Sequence, residues 1–206
     1  EETEGAAGLV FLDTAAEMLV SHDYEYYGSR DKAVKVSDLI AKFTDEVALG
    51  ETVLIKASDG FEKNEKLDIF QKGFIKYTGA DAPAFMAPDM PKGMHVKNIM
   101  WFSTGKTVFC SAENIIDSIH KGNEAGKGGI SLGQVFKETG LSDSPLYILS
   151  ASDGFEVKIS ADRIKMGCLC FTESKCVSLL LNGPDAEIVI KGLLTVKTAE
   201  FAGGKP

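Results

Sequence analysis

The sequence predicts an α+β fold, with mixed or mainly antiparallel sheets, short helices and an internal duplication. Three observations lead to this prediction: short runs that alternate apolar and polar residues, short amphipathic helical segments, and a self-similarity with a spacing near 95 residues. A repeat of this length is typical of a duplicated half-domain and not of a solenoid unit. With 206 residues, 44% of them hydrophobic, the chain is long enough to bury a substantial core.

The self-similarity centres on the hexapeptide ASDGFE, which occurs at Ala57–Glu62 and again at Ala151–Glu156. At an offset of 94, residues 36–104 align without a gap with residues 130–198 and share 12 identities in 69 positions. Six of these identities are consecutive and form the hexapeptide itself. Such clustering is not expected from composition alone, so we predict a duplication.

The duplication predicts the domain organisation. An offset of 98 extends the alignment towards the N-terminus and makes Leu12 the counterpart of Cys110. We therefore expect a first copy over 9–106 and a second over 107–201. A disordered or linker segment is expected at 1–8 and a tail at 202–206.

The second copy gives the clearest elements in chain order. Thr107–Cys110 predicts a strand, and Ser111 then caps a helix that ends at Gly122. Ser131 caps a second helix, which Gly140 ends. Further strands are predicted at 145–152, 155–161, 168–171, 176–183 and 186–201, the last interrupted at Gly192.

The Asp-Gly pair inside each hexapeptide predicts a tight hairpin. A type I′ turn requires positive φ at both central residues, which Asp and Gly tolerate well. In this interpretation the hexapeptide is repeated because both copies need the same turn. The alternative is a loop that presents Asp59 or Asp153 to a ligand.

The first copy is less clear near its start. Residues 23–36 are predicted to form a loop. His22 and His120 align, and both are expected late in helices, where a cation faces the negative end of the helix dipole. Residues 78–98 contain three prolines and three methionines. This Pro/Met segment either lines a pocket near Trp101 and Phe102 or forms a covering loop.

Composition excludes some classes of function. The net charge of −8, with no basic block, disfavours a nucleic-acid partner. No apolar run approaches 18 residues, so no transmembrane segment is predicted. The acidic opening EETEGAAG lacks an initiating Met, as expected after removal of a signal peptide or at an arbitrary sequence boundary. We expect a secreted or cell-envelope protein.

Three of the four cysteines cluster as Cys168-x-Cys170-x5-Cys176 in the second copy alone. Three interpretations remain open: a disulfide that involves Cys176, buried thiols that behave as small apolar side chains, and a metal site completed by Cys110 or a histidine. The spacing is not a standard zinc or iron–sulfur pattern.

The order of elements in the second copy resembles a known family. The residues that carry the resemblance are SLGQVF at 131–136, TGL at 139–141, SDGF at 152–155, Ala161-Asp162 and the closing strand at 188–201. In this order they resemble the sulfite-oxidase-type molybdopterin-binding domain. The first copy shows the same order of elements with weaker matches to these motifs.

The resemblance implies site residues. In that family a cysteine upstream of this stretch ligates molybdenum, and Cys110 lies where it is expected. The resemblance makes Cys110 the candidate catalytic residue. The corresponding candidates for binding the cofactor are Ser152, Asp153, Gly154, Lys191 and Lys197.

The sequence departs from the family where the cofactor would bind. No arginine follows Cys110, and the whole chain contains only Arg30 and Arg163. A phosphate-bearing cofactor favours bidentate arginines or a glycine-rich nest. We therefore expect an extracytoplasmic binding or interaction protein without a cofactor or catalysis, whose partner is an unidentified protein or small molecule. The alternative is a molybdopterin-dependent oxidoreductase with Cys110 as the metal ligand.

Features present in both copies are expected to serve the fold. Features present in one copy are the candidates for function: Cys110, the three-cysteine cluster and the Pro/Met segment.

Overall fold

The computed structural model describes residues 5–45, 49–87, 89–121, 129–171, 176–181 and 187–202. Within these ranges the chain forms the predicted mixed α+β fold, with mainly antiparallel sheets and short helices. The strands are β1 (Gly8–Phe11), β2 (His22–Tyr26), β3 (Ser29–Lys35), β4 (Thr52–Ala57), β5 (Glu62–Lys66), β6 (Phe74–Lys76), β7 (Ala84–Met86), β8 (Ile99–Thr104), β9 (Thr107–Cys110), β10 (Ile130–Ser131), β11 (Leu146–Ala151), β12 (Glu156–Ser160), β13 (Cys168–Phe171), β14 (Val177–Leu181), β15 (Ile188–Lys191) and β16 (Leu193–Thr198). The helices are α1 (Leu12–Ala15), α2 (Val36–Phe43), α3 (Leu67–Phe70), α4 (Ala112–Lys121), α5 (Leu132–Thr139), α6 (Ala161–Lys165) and α7 (Ala199–Ala202). Across the described helices, none is both long and apolar enough to cross a membrane.

Eight strands form a main sheet in the order β12-β11-β16-β1-β9-β8-β4-β5. All neighbours are antiparallel except the central pair, β1 and β9, which are parallel. Each side of this central pair holds three strands, in the order β16-β11-β12 on one side and β8-β4-β5 on the other. The first half of the chain (up to residue 106) and the second half (from residue 107) contribute four strands each.

The outer strands of the two halves have the same register at an offset of 94. Leu54 lies opposite Asn64, and Ile148 lies opposite Lys158. The pairing of β4 with β8 shifts register before Ala57, and the pairing of β11 with β16 shifts at the matching place, before Ala151. The offset of 94 therefore describes the strand pairing of this part of the sheet residue by residue.

The offset differs at the start of each half. The buried positions of α2 match those of α5 at an offset of 96, so the ungapped alignment is wrong in this region. Cys110 lies opposite Trp101. Val10 lies opposite Thr195, which is the residue that matches Trp101 at an offset of 94. The counterpart of Cys110 is therefore Val10 and not Leu12, which already begins a helix.

The main sheet is packed on both faces. In β1, Leu9 and Phe11 belong to one core cluster, whereas Val10 belongs to the other. In β9, Val108 and Phe109 divide in the same way. Strands buried on both faces require continuous apolar sequence, which explains the runs GLVF and TVFC.

Two smaller antiparallel sheets accompany the main sheet. The first small sheet has the order β2-β3-β6-β7 and the second has the order β10-β13-β14-β15. Strands β2 and β3 form a hairpin where a loop was predicted for residues 23–36. Tyr24 and Tyr26 alternate with exposed acidic residues along β2, and this period of two makes the segment a strand. His22 begins this strand and does not lie in a helix, whereas His120 lies in α4 as predicted.

Both ASDGFE segments form the predicted hairpins, but not with type I′ turns. Only the glycines have positive φ, +88° at Gly60 and +90° at Gly154. The Asp59 carboxylate accepts a hydrogen bond from the Phe61 N–H at 2.9 Å, and Asp153 does the same for Phe155 at 2.9 Å. This side-chain bond stabilises an aspartate with negative φ, so one glycine is enough to close each turn.

Of the four helix ends predicted in the second half, those at Ser111, Ser131 and Gly140 form as predicted. The predicted end at Gly122 lies outside the described residues. The Ser131 hydroxyl accepts from the Gln134 N–H at 3.2 Å in a capping box, and Gly140 closes α5 in the left-handed region at φ 70°. Ser111 caps α4 by accepting from the Asn114 N–H at 3.3 Å.

The N-terminal segment differs from the prediction of a linker. The Ala6 N–H donates to the Gly140 carbonyl at 3.0 Å, and Gly8 is already part of β1. Residues 5–8 are therefore ordered against the sheet. Residues 1–4, and residues 203–206 of the predicted tail, lie outside the described residues.

Candidate functional site

A pocket of about 280 Å³ lies beside the β2–β3 hairpin. We call it the hairpin pocket; its lining residues are Tyr24, Glu25, Tyr26, Tyr27, Gly28, Met86, Lys92 and His95. Three of these come from the Pro/Met segment, which therefore lines a pocket. Trp101 and Phe102 do not contribute to it, because both are buried in the main sheet.

The tip of the hairpin has an unusual backbone. Tyr26 pairs with Ser29, which leaves Tyr27 and Gly28 as a two-residue loop. Their φ angles are 45° and 84°, so this is the type I′ turn that was predicted elsewhere. The first position of such a turn favours Asn, Asp or Gly, because a bulky side chain is strained at positive φ. Tyr27 is nevertheless 74% exposed, so burial of its ring does not offset this strain.

Lysines hold the exposed ring in place. The Nζ of Lys92 lies 5.4 Å from the centre of the Tyr27 ring, and that of Lys97 lies 5.2 Å from it. Tyr26 packs edge-to-face against Tyr27 at 4.7 Å between ring centres. These cation–π and aromatic contacts fix the Tyr27 ring at the mouth of the pocket.

A buried ion pair supports the pocket from below. Lys76 is fully buried, and its Nζ lies 3.1 Å from the Asp31 carboxylate and 4.2 Å from the centre of the Tyr26 ring. The same ammonium group donates to the carbonyl oxygens of Thr78 and Ala80. All three ammonium hydrogens thus have acceptors, as a buried lysine requires.

A second polar link fixes Tyr26 from the side. Its hydroxyl donates to the Asp81 carboxylate at 2.6 Å, and Asp81 also pairs with Lys97 at 3.2 Å. The hydrogen bond from Tyr26 and the charge of Lys97 hold the pKa of Asp81 below its usual value. Burial, followed by the bond to Asp81, raises the pKa of Tyr26. The neutral phenol and the ionised carboxylate therefore persist together around neutral pH.

His95 is a further residue of the pocket lining. Its Nε2 lies 3.2 Å from the Ala87 nitrogen and 3.1 Å from the Ala87 oxygen. The imidazole is thus positioned by the backbone at the end of β7.

Cys110, the predicted molybdenum ligand, lies in the core. It is the last residue of β9 and is fully buried. Burial raises the pKa of its thiol well above the usual value, and the nearby Asp13 raises it further. A metal ligand must be a thiolate, and with no metal bound the protonated form of Cys110 is favoured.

Sequence reasoning missed Asp13. Its carboxylate accepts from the Ala112 N–H at 2.7 Å at the start of α4, with the Ser111 hydroxyl 3.5 Å away. Burial raises the pKa of Asp13 to about 6, although the hydrogen bond from Ala112 opposes this shift. The contact spans 99 residues, so no local signal in the sequence could have identified it.

The predicted cofactor-binding residues are only partly brought together. Ser152, Asp153 and Gly154 form the exposed turn after β11. The Ser152 N–H donates to the Gly192 carbonyl at 2.9 Å, which places the neighbouring Lys191 close to this turn. Lys197 lies in β16, four residues after Leu193. It is therefore roughly 13 Å along the strand from the residues near this turn.

The cysteine cluster lies on the second small sheet. Cys168 and Cys170 point to the same face of β13, and Cys176 immediately precedes β14. Burial raises the pKa of Cys170, and its thiol lies 3.5 Å from the Ser178 carbonyl. None of the four cysteines forms a disulfide. In the described parts of the chain, no three His, Cys, Asp or Glu side chains are placed to hold a metal ion.

Comparisons of this chain with protein-family models, curated proteins and solved structures gave no match.

Proposed function

We propose that this protein is a binding protein without catalysis, and that its ligand site is the hairpin pocket. One observation carries the proposal: Tyr27 occupies a strained position at φ 45° while its ring remains 74% exposed. A residue in this conformation costs of the order of 1 kcal/mol or more, which Asn or Gly would avoid. Burial of the ring does not compensate for this cost, so contact with a ligand is the better explanation for a tyrosine here.

The surroundings of Tyr27 support a binding role. The ring is held by Lys92 and Lys97 and rests against Tyr26, which the buried Lys76 supports from below. A site built on such fixed side chains loses little conformational entropy when a ligand binds. His95 is hydrogen-bonded to the Ala87 backbone and not to a nucleophile, which fits binding better than catalysis.

The molybdopterin-dependent alternative depends on Cys110. The burial of that thiol and its raised pKa support the binding interpretation instead. A duplicated scaffold of the molybdopterin-binding type remains part of the proposal, and the matched registers of the main sheet support the duplication. The extracytoplasmic location remains a prediction.

The test is the substitution Tyr27→Asn. It is expected to raise the free energy of unfolding by about 1 kcal/mol because it relieves strain at positive φ. It is also expected to weaken binding, measured by NMR with a library of small neutral, anionic and cationic aromatic compounds and sugars. In the unsubstituted protein, bound compounds should shift the amide signals of residues 24–28 and 92–95.

The control is Phe61→Ala, which removes another exposed ring, 51% exposed, at a turn outside the pocket. It should leave unchanged the shifts that bound compounds cause in the pocket signals. The proposal fails if no compound in the library shifts the pocket signals, or if Tyr27→Asn binds the same compounds with unchanged affinity.

A further inference from the structure

The hairpin pocket contains a cation without a counter-charge. Lys92 is exposed, and its ammonium group lies over the Tyr27 ring. Over the ranges that the structure describes, Lys92 forms no ion pair. The charge is notable because the chain as a whole carries a net charge of −8.

The acidic residues around the pocket lie close to basic residues. Along the β2–β3 hairpin, Glu25 lies directly opposite Arg30, and opposite charges in such positions attract each other. Beneath the pocket, Asp31 pairs with Lys76. Among the described residues no ion pair joins Glu25 to Arg30 or to Lys92. Arg30 offsets part of the Glu25 charge across the strands, and the charge of Lys92 remains for a ligand.

The rest of the lining favours a flat apolar body. Tyr24, Tyr26 and Tyr27 provide rings, and Met86 provides a polarisable thioether. A volume of about 280 Å³ suits a compound with one or two rings. A ring in contact with Tyr27 would bring a substituent within reach of the Lys92 ammonium group.

The cationic hydrogen-bond donor of the lining indicates which type of anion the pocket favours. A phosphate dianion favours an arginine fork or a glycine-rich nest, whereas Lys92 supplies one point charge on a flexible stem. His95 adds an imidazole to the lining. We infer that the hairpin pocket binds a small aromatic carboxylate, with its ring against Tyr27 and its carboxylate on Lys92. This inference rests on the proposed function.

The experiment compares benzoate, its neutral isostere benzamide, and phenyl phosphate, each titrated at pH 7 and low ionic strength with the NMR signals of the pocket as the readout. Benzoate should bind about fivefold more tightly than benzamide, the preference expected from one exposed ion pair. Lys92→Gln should remove this preference by weakening benzoate alone. Tyr27→Asn should weaken both compounds.

The matched control is Lys35→Gln, which changes the net charge equally at an exposed position of β3 outside the pocket lining. It should preserve the preference for benzoate. Equal binding of benzoate and benzamide in the pocket would overturn the inference but leave the proposed function intact. Tighter binding of phenyl phosphate, or no binding of benzoate while other library compounds occupy the pocket, would also overturn the inference. Failure of the whole library would overturn the proposed function as well.

Discussion

The two halves agree in the main sheet and differ in the small sheets. Strands β4 and β11 pair with their neighbours in the same register, whereas β6 and β13 carry different chemistry at matched positions. At an offset of 94, the fully buried Lys76 corresponds to the partly buried Cys170. The first half therefore holds a charge beneath its small sheet where the second half has a thiol.

The difference arises from the strands that surround these two positions. In the first small sheet, β2 and β3 form a long hairpin whose Tyr26 covers the buried ammonium group. In the second, β10 has only two residues, and β15 is added at the opposite edge. Among the described residues, the pocket beside the β2–β3 hairpin tip therefore belongs to the part of the first half that differs from the second. The common sheet provides the framework, and the hairpin pocket lies on the part that differs.

The largest expected effect tests this contrast directly. Lys76→Met would leave the Asp31 carboxylate buried without its partner, so we expect a loss of about 3–5 kcal/mol in the free energy of unfolding, measured by urea denaturation. Adding Asp31→Leu should restore most of the loss, because the isolated charge is then removed. A loss below about 1 kcal/mol for the single variant would show that the ion pair does not support the first small sheet.

The next effect concerns Asp13. Because Val10 of β1 matches Cys110 of β9, the counterpart of Asp13 in the second half is the exposed Glu113. The pKa of Asp13 is raised from 3.8 to about 6, so the folded state favours the protonated form. This contribution to stability is fully present below about pH 4 and is lost as the pH rises through 6, a change of about 2–3 kcal/mol. Asp13→Asn should remove this pH dependence from urea midpoints measured between pH 4 and 7.

Glu113→Gln is the control for Asp13, since it should change stability by less than about 0.5 kcal/mol. If the difference in stability between the unsubstituted protein and Asp13→Asn is the same at pH 4 and pH 7, the pKa of Asp13 is not raised in the folded protein.

A smaller effect tests the equivalence of the two ASDGFE turns. A Cβ at Gly60 or at Gly154 meets no atom within 4 Å, so alanine introduces only backbone strain at positive φ. Gly60→Ala and Gly154→Ala should each cost about 1–2 kcal/mol, and the two costs should be equal. Thermal unfolding of both variants would reveal an inequality, which would show that the turns support the fold to different extents.

The smallest effect is expected at the aromatic residues after these turns. Phe61 and Phe155 are about half exposed, at 51% and 47%. Phe61→Ala and Phe155→Ala should each change the free energy of unfolding by less than about 0.5 kcal/mol. A larger loss for either variant, detected by thermal unfolding, would indicate a packing role in only one half.

Local signals made part of the fold predictable from the sequence. The capping box at Ser131 and the closing Gly140 depend on neighbouring residues, and α5 forms as expected. The β2–β3 hairpin was missed because a Tyr-Gly turn is not a typical hairpin signal, although the alternation around Tyr24 and Tyr26 was present.

The site was predictable only where composition marked it. The Pro/Met segment was recognised as a possible pocket wall, and three of its residues line the hairpin pocket. The buried pair of Lys76 and Asp31 joins residues 45 apart, and its burial depends on the packing of the whole small sheet. Sequence patterns over short windows do not contain such information.

The order of the main sheet has a consequence for protein engineering. Strand β1 has both its neighbours, β16 and β9, in the second half of the chain, and β9 bridges β1 to β8 of the first half. Either half expressed alone would lack the partners of its innermost strand. Two fragments cut in the β8–β9 turn, between Gly105 and Lys106, are therefore suited to a split-protein reporter that regains its fold only when both fragments meet.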